Sequence, residues 1–151
     1  MPTDMSRYPA NWNEIRARIL RRAGGNEDDP RIGARCEKCR VRNYDVGRRV
    51  NGEFVDDARE YIPEGEDDPF PSYRAAKFYA DELNLTANEP YIVIVLTIAH
   101  ITDPDPQNVA DDNLAALCQR CHNRHDVPYR KRNRAITRRG KIIDAGQLAL
   151  V

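Results

Sequence analysis

The chain lacks any apolar run long enough to cross a bilayer, and no signal-peptide core of apolar residues opens it. Its most apolar stretch, YIVIVLTIAHI, is too short to span a membrane and is rich in β-branched residues. Such a stretch predicts a buried strand over residues 91–98 that leads to His100. We therefore expect no membrane contact and a cytoplasmic location.

The chain also lacks a net charge: its formal value is zero, because 24 Lys and Arg residues balance 24 Asp and Glu residues. A neutral total by itself predicts no polyanionic partner. The charges are unevenly spread, however, with acids dominating from Val55 to Asp68 and bases dominating from Arg124 to Lys141. The basic segment favours contact with nucleic acid, and the alternative for this segment alone is a solvated charged helix. The side chains expected to contact DNA phosphates are Arg124, Arg130, Lys131, Arg132, Arg134, Arg138 and Arg139.

Cysteines are few, and all four stand in two C-x-x-C pairs. In an intracellular chain such pairs favour thiolate metal ligands over disulfides. A structural zinc ion requires a closed tetrahedral shell, which two pairs supply. The alternative is four unrelated buried thiols. With only 40% hydrophobic residues the core is small for 151 residues, and a zinc staple would stabilise it. The predicted zinc ligands are Cys36, Cys39, Cys118 and Cys121.

The chain length predicts a single domain with tails. A helix is expected over NWNEIRARILRR, capped by Asn11 or Asn13 and ended by two glycines. The Asn51-Gly52 pair predicts a β-hairpin, and Ser72 is expected to cap a short helix. Pro128 is expected to end or kink a last helix that begins near Cys118. The segments are a flexible N-terminus of residues 1–10, a domain of residues 11–128 with an acidic insert at about residues 55–72, and a basic tail of residues 129–151.

The histidines and one asparagine are left over once the cysteines have filled a zinc shell. His100, at the end of the predicted strand, is placed to act as a general base, and its alternative is a satisfied core histidine. Taken singly, Asn113 is a turn or cap residue and His122 is a residue on a helix surface. Their spacing as a group is more specific than any one of them.

Together these residues resemble the HNH endonuclease family. The family signature is a His-Ile or His-Leu pair at a strand end, followed by N-L-x-x-L-C-x-x-C-H, and the chain carries AHI…NLAALCQRCH. The segment YPANWNEIRARILRRAGG, followed by RCEKC, is similar to the start of small HNH proteins of bacteria and tailed phages. The resemblance covers most of residues 8–127 and leaves out the acidic insert and the basic tail.

The resemblance implies an α+β fold with a ββα-metal, treble-clef-like core, clamped by a four-cysteine zinc site and preceded by an N-terminal helix. It implies a DNA endonuclease in which His100 activates water, Asn113 holds the loop that orients this base, and His122 binds one catalytic divalent ion. The alternative is a catalytically silent zinc module that binds DNA or a packaging or host protein, and a weaker one is an RNA nuclease. A phage-encoded protein would act in the host cytoplasm.

The chain departs from the family pattern at Ala99, where many members have an Asp or His that also binds the catalytic ion. Asp126 lies four residues after His122 and could reach the same ion from one helical face. Asp103 and His125 are weaker candidate ligands. A site led by imidazole with few carboxylates favours Mn²⁺, Ni²⁺ or Zn²⁺ over Mg²⁺. If the end of the strand faces the cleft, Ala99→Asp should restore a carboxylate beside the base and raise cleavage with Mg²⁺.

Overall fold

A computed structural model of the chain describes residues 4–58 and 70–144. The predicted acidic insert falls mainly on residues 59–69, outside the described residues. Within the described ranges, none of the helices has the length and apolar composition needed to span a membrane. The fold is mixed, with three helices and two small sheets. In chain order the elements are α1 (Trp12–Arg22), β1 (Val46–Val50), β2 (Glu53–Val55), α2 (Tyr73–Asn84), β3 (Ile92–Val93), β4 (Leu96–His100), β5 (Leu114–Cys118) and α3 (Gln119–Asp144).

Helix α1 forms where its apolar residues recur on one face. The side chains of Trp12, Ile15, Ile19 and Leu20 are all buried in the main core, beside β4 and β5. The predicted Asn11 cap is only positional, because its side chain makes no capping hydrogen bond. The two glycines end the helix as expected. Gly24 takes a positive φ of 96°, and a Cβ on Gly25 would lie 2.0 Å from the Pro30 carbonyl oxygen.

The predicted hairpin is confirmed as β1 and β2. Asn51 and Gly52 take positive φ angles of 50° and 82°, as a two-residue hairpin turn of right-handed twist requires. Strand β1 pairs with β3 on its other side, so this sheet has the order β2-β1-β3. Helix α2 packs on it, and its predicted cap is also confirmed, since Ser72 Oγ accepts a hydrogen bond from the Ala75 N–H at 3.2 Å. A second core lies between this helix and the sheet.

The prediction of one continuous strand over residues 91–98 is wrong, because the chain passes from one sheet to the other within it. Strand β3 pairs with β1, whereas β4 pairs with β5. Between them, the buried Ile94 exchanges backbone hydrogen bonds with Tyr44 and Asp45. The buried Asn43 then accepts a hydrogen bond from the Leu96 N–H at 2.8 Å through its Oδ1 atom. Apolar content alone cannot show which neighbour each residue bonds.

Strands β4 and β5 form an antiparallel pair that leads directly into α3. Their register runs from Leu96 opposite Cys118 to His100 opposite Leu114. Pro128 lies inside α3 and does not end it, so the expected boundary between residues 128 and 129 falls within one helix. The carbonyl that loses its N–H partner to this proline belongs to the exposed Arg124, where water can replace the hydrogen bond.

Residues 4–8 are held in place by hydrogen bonds and by an aromatic contact. Met5–Arg7 form one turn of 3-10 helix, capped by the Asp4 side chain. The Tyr8 ring packs against the Trp12 ring with a centroid separation of 4.6 Å. Gln107 donates a hydrogen bond to the Arg7 carbonyl at 2.6 Å. These contacts hold residues 4–8 against the loop that follows β4. Residues 4–8 belong to the N-terminal segment that is predicted to be flexible.

Candidate metal centre and histidine cleft

The four cysteines come together from two places in the fold. The Cys36–Cys39 turn follows α1, and its backbone is closed by a hydrogen bond from the Cys36 N–H to the Val41 carbonyl. Cys118 ends β5, and Cys121 lies in the first turn of α3. The four sulfur atoms all lie within 4.8 Å of one another. The structure therefore places all four predicted zinc ligands in one cluster.

The spacing of this cluster fits a zinc ion. Tetrahedral Zn–S bonds of about 2.3 Å put the sulfur atoms about 3.8 Å apart. The Sγ atoms of Cys39 and Cys118 are 3.7 Å apart. None of the four cysteines is in a disulfide, and three of them are buried. Four free thiols within 4.8 Å of one another supply the donor set of a closed structural site.

The thiols hold their protons unequally. A hydrogen bond with Cys118 lowers the pKa of Cys36 to about 4, and the same hydrogen bond raises the pKa of Cys118. Burial raises the pKa of Cys121 to about 11. The protein by itself therefore favours the thiolate of Cys36 and the protonated thiols of Cys118 and Cys121. A metal ion that takes all four sulfur atoms must displace the remaining protons.

Two residues that the sequence did not indicate fix one pair of cysteines against the other. Glu37 donates its backbone N–H to the Ala116 carbonyl at 2.9 Å, and its Oε2 atom accepts from the Ala116 N–H at 2.7 Å. Arg22 pairs with the same carboxylate at 2.9 Å and donates to the Leu114 carbonyl at 2.6 Å. The first knuckle is thereby docked on β5, the strand that ends at Cys118.

A second feature is a cleft of about 540 Å³ between the end of β4 and one face of α3, which we call the histidine cleft. It brings together all three histidines of the chain, from a strand end and from two positions on a helix. Two of the predicted phosphate-binding arginines also reach it. The polar side chains that line it include His100, His122, His125, Asp126, Arg130 and Arg132.

His100 is held by aromatic rings. Its ring stacks on Trp12 at a centroid distance of 6.0 Å and an interplanar angle of 14°, and Tyr8 lies at 6.1 Å. Within the described part of the chain, the buried His100 Nε2 atom has no hydrogen-bond partner. Burial lowers the pKa of His100 below its ordinary value of 6.5, against the opposing charge of Asp103. The imidazole is therefore neutral at neutral pH.

His122 is oriented by the strand beside it. Its Nδ1 atom lies 2.6 Å from Thr97 Oγ1, and that hydroxyl lies 3.4 Å from the Leu117 carbonyl oxygen. A hydroxyl has one proton, so a hydroxyl that donates to the carbonyl accepts from an Nδ1–H group. This tautomer leaves a lone pair on Nε2. Asp126 Oδ2 lies 3.7 Å from that atom.

The other candidate ligands have competing partners. His125 Nε2 lies 3.0 Å from the Ile101 carbonyl oxygen, so this nitrogen carries a proton and donates. The Asp126 carboxylate also pairs with Arg130 at 3.5 Å. Asp103 accepts a hydrogen bond from Asn108 at 2.8 Å. Over residues 4–58 and 70–144, the cysteine cluster alone gathers three or more candidate metal ligands.

Asn113 organises the loop between β4 and β5. The side chain is only 2% exposed, and it makes five hydrogen bonds. Its Oδ1 atom accepts from the Thr102 N–H and hydroxyl and from the Asp103 N–H, while its Nδ2 atom donates to the Asp103 and Asn108 carbonyls. Through these hydrogen bonds Asn113 fixes the backbone that follows His100.

Ala99 does not line the histidine cleft. Its side chain is 1% exposed and packs within the main core. The expectation that an Asp at this position would lie beside the base stays a prediction. Such an Asp would put a carboxylate among apolar side chains, where desolvation disfavours its charged form.

The predicted phosphate-binding residues all lie on α3 and are exposed. Arg130 is the one whose partners are defined, Asn123 and Asp126.

No family model, no curated protein and no solved structure matches this chain. The two features of the molecule that bear on function are the cysteine cluster and the histidine cleft.

Proposed function

We propose that the protein is a metal-dependent endonuclease of the HNH type that hydrolyses DNA phosphodiester bonds. The observation that supports this most is the histidine cleft. It combines a histidine at a strand end, His100, with His122 and Asp126 on the following helix, and Arg130 and Arg132 lie at its rim. A base, a pair of ligand atoms and cationic groups on one cleft are the parts that phosphodiester hydrolysis requires.

His100 would act as the general base. The neutral imidazole has a lone pair at neutral pH, and the stack on Trp12 restricts how the ring can turn. Water cannot reach the enclosed Nε2 atom, so Nδ1 is the nitrogen that would accept the proton of the attacking water. Asn113 would keep the loop after His100 in place, so that the ring stays at the strand end.

His122 and Asp126 would hold the catalytic divalent ion. The Nε2 lone pair of His122 and Oδ2 of Asp126 are 3.7 Å apart, which allows both atoms to bind one ion. When bound, such an ion offsets negative charge on the scissile phosphate and on the leaving oxygen. Arg130 and Arg132 would position the phosphate backbone at the cleft. The cysteine cluster would hold a structural zinc ion and carry the start of α3, where His122 lies.

A second candidate function is a catalytically silent zinc module that binds DNA or a packaging protein. Two observations favour it. The residue next to the base is Ala99, so the site lacks a carboxylate there. In the described ranges, only the cysteine cluster reaches three candidate ligands. This function would need the basic residues of α3 but not the histidines.

Conversion of supercoiled plasmid to nicked or linear forms would separate the two candidates. Purified, zinc-loaded protein would be incubated with Mg²⁺, Mn²⁺ or Ni²⁺, together with the variants His100→Ala, His122→Ala and His125→Gln. An endonuclease should cut best with Mn²⁺ or Ni²⁺, and should lose more activity with His122→Ala than with His125→Gln. Cutting by both alanine variants at the wild-type rate would indicate a contaminant. Failure with every metal would favour the silent module.

A further inference from the structure

A second, smaller cleft of about 280 Å³ lies beside the cysteine cluster, and we call it the arginine cleft. Arg49 of β1 reaches it from the hairpin, and Arg120 and Arg124 reach it from the first turns of α3. The hairpin tip lies close to the helix, since a Cβ on Gly52 would be 3.5 Å from Arg120 Nη2. Two segments about seventy residues apart in sequence therefore contribute three arginines to the lining of one cleft.

Over the part of the chain that the structure describes, these arginines have no carboxylate partner. Of the ion pairs among residues 4–58 and 70–144, none involves Arg49, Arg120 or Arg124. Glu53 lines the same cleft but does not come within ion-pair distance of them. Arg49 and Arg120 are also half-buried. Partial burial of a cation is unfavourable unless an anion or hydrogen-bond acceptor joins it, so the cleft suits an anionic ligand.

The arginine cleft continues into one face of α3. At 3.6 residues per turn, Arg120, Arg124, Lys131 and Arg138 fall within about 40° of one another around the helix. This basic face extends for roughly 27 Å along the axis, the length of about eight base pairs of duplex. His122 and Asp126 project from a different side of α3, into the histidine cleft. Each cleft thus has its own side of the helix.

We infer that the arginine cleft binds a backbone phosphate of double-stranded DNA, and that the same strand continues along the basic face of α3. A guanidinium fork matches two phosphate oxygens, and three such groups at one point favour a dianionic or phosphodiester ligand over a carboxylate. The inference rests on the DNA-binding part of the proposed function and adds Arg49 and Arg120 to it. A competing use of these groups is to offset the charge of a metal-bound thiolate cluster, because Cys39, Cys118 and Cys121 line the same cleft.

The test is a salt titration of binding by zinc-loaded, full-length protein with no other divalent ion added. The probe is a fluorescein-labelled duplex of about 20 base pairs, longer than the basic face, and fluorescence anisotropy gives the dissociation constant at each salt concentration. The variants are Arg49→Gln, Arg120→Gln and the double variant. Arg74→Gln is the matched control, an exposed arginine of α2 outside the cleft. Zinc content is measured on every sample.

Each lost phosphate contact should reduce the slope of log affinity against log salt by roughly 0.9, and the double variant by roughly 1.8. Arg74→Gln should leave the slope unchanged. The inference is overturned if the double variant binds with the wild-type slope, or if the wild type does not bind the duplex. It is also overturned if the variants lose zinc while their slope stays constant, which would assign the arginines to the thiolates. None of these readings depends on cleavage, so a silent but DNA-binding module would still satisfy the inference.

Discussion

Thr97 Oγ1 lies 2.6 Å from Nδ1 of His122, and this contact joins β4 to the first turns of α3. The hydroxyl selects the tautomer that leaves Nε2 free to bind a metal ion. A residue outside the family signature therefore orients the proposed ligand. Removing such a partner of a ligating histidine commonly costs 10- to 100-fold in metal affinity or activity.

Thr97→Val should weaken the binding of the catalytic ion, because valine keeps the shape of threonine but cannot accept from Nδ1–H. We expect the half-saturating Mn²⁺ concentration for plasmid cleavage to rise by roughly 10- to 100-fold. Thr97→Ser keeps the hydroxyl and should stay near the wild type. Zinc content should be unchanged in both. Equal metal titrations for Val and Ser would show that this hydroxyl does not orient His122.

Cys36→Ser should release the structural ion and unfold the domain, because metal binding contributes to the folding free energy of a small clamped core. Native protein should contain about one tightly held zinc ion per chain. Lys38→Ala, in the same turn but with no sulfur, is the control. Circular dichroism and metal analysis of the three proteins test this. A folded Cys36→Ser protein with full zinc content would contradict the assignment.

Zinc affinity should rise with pH. The pKa of Cys121 is raised to about 11 without metal, so protons compete with the ion throughout the neutral range. Acidification should favour the protonated thiol and release zinc, and alkalinisation should do the reverse. Competition with a chromogenic chelator between about pH 6 and pH 8 measures the effect. A pH-independent affinity would mean that the thiols are not the ligands.

His100→Ala should slow cleavage by roughly 10²- to 10⁴-fold without changing zinc content or DNA affinity. In the wild type, burial lowers the pKa of His100 below 6.5, against the opposing charges of Asp103 and Asp105. The base is active when neutral, so the rate should rise with pH through that lowered value and then level off. Single-turnover cleavage rates of the wild type and the variant, measured from below the lowered pKa of His100 up to neutral pH, test both points. A wild-type rate in His100→Ala would assign the base to another residue.

Asn113→Asp should destabilise the fold more than an exposed substitution of the same kind. The Nδ2 donor would become a carboxylate oxygen that faces the Asp103 and Asn108 carbonyl oxygens. Two hydrogen bonds would be lost, and buried acceptors would face each other without a donor. We expect a loss of about 1–3 kcal/mol in the free energy of unfolding. Asn123→Asp, on the exposed side of α3, is the control and should change little. Urea unfolding of zinc-loaded protein compares them, and equal midpoints would contradict the role given to Asn113.

Short-range features of this protein were predictable from the sequence because their chemistry is local. The Asn51-Gly52 turn needs only residues that tolerate positive φ, and the Ser72 cap needs only a hydroxyl at the start of a helix. The stripe of Ile15, Ile19 and Leu20 is a property of helical spacing. The two C-x-x-C pairs likewise indicated a shared metal site, since four thiols are its donor set.

Other features depend on neighbours that are distant in sequence. The side chain of Asn43 accepts a hydrogen bond from the Leu96 N–H. The apolar run is divided into two strands there, because each half pairs with a different sheet. Ala99 faces the core and His100 the cleft, since the pairing of β4 with β5 determines which side of the strand is covered.

The sequence by itself therefore determined the positions of α1, α2 and the hairpin, and the cysteine donor set, where propensity, turn chemistry and ligand type act over a few residues. Only the tertiary structure decided that Thr97 lies against His122, that Trp12 stacks on His100, and that Arg49 and Arg120 line one cleft. Those relationships arise when packing of the cores fixes the distances between strands and α3, and no local pattern encodes such distances.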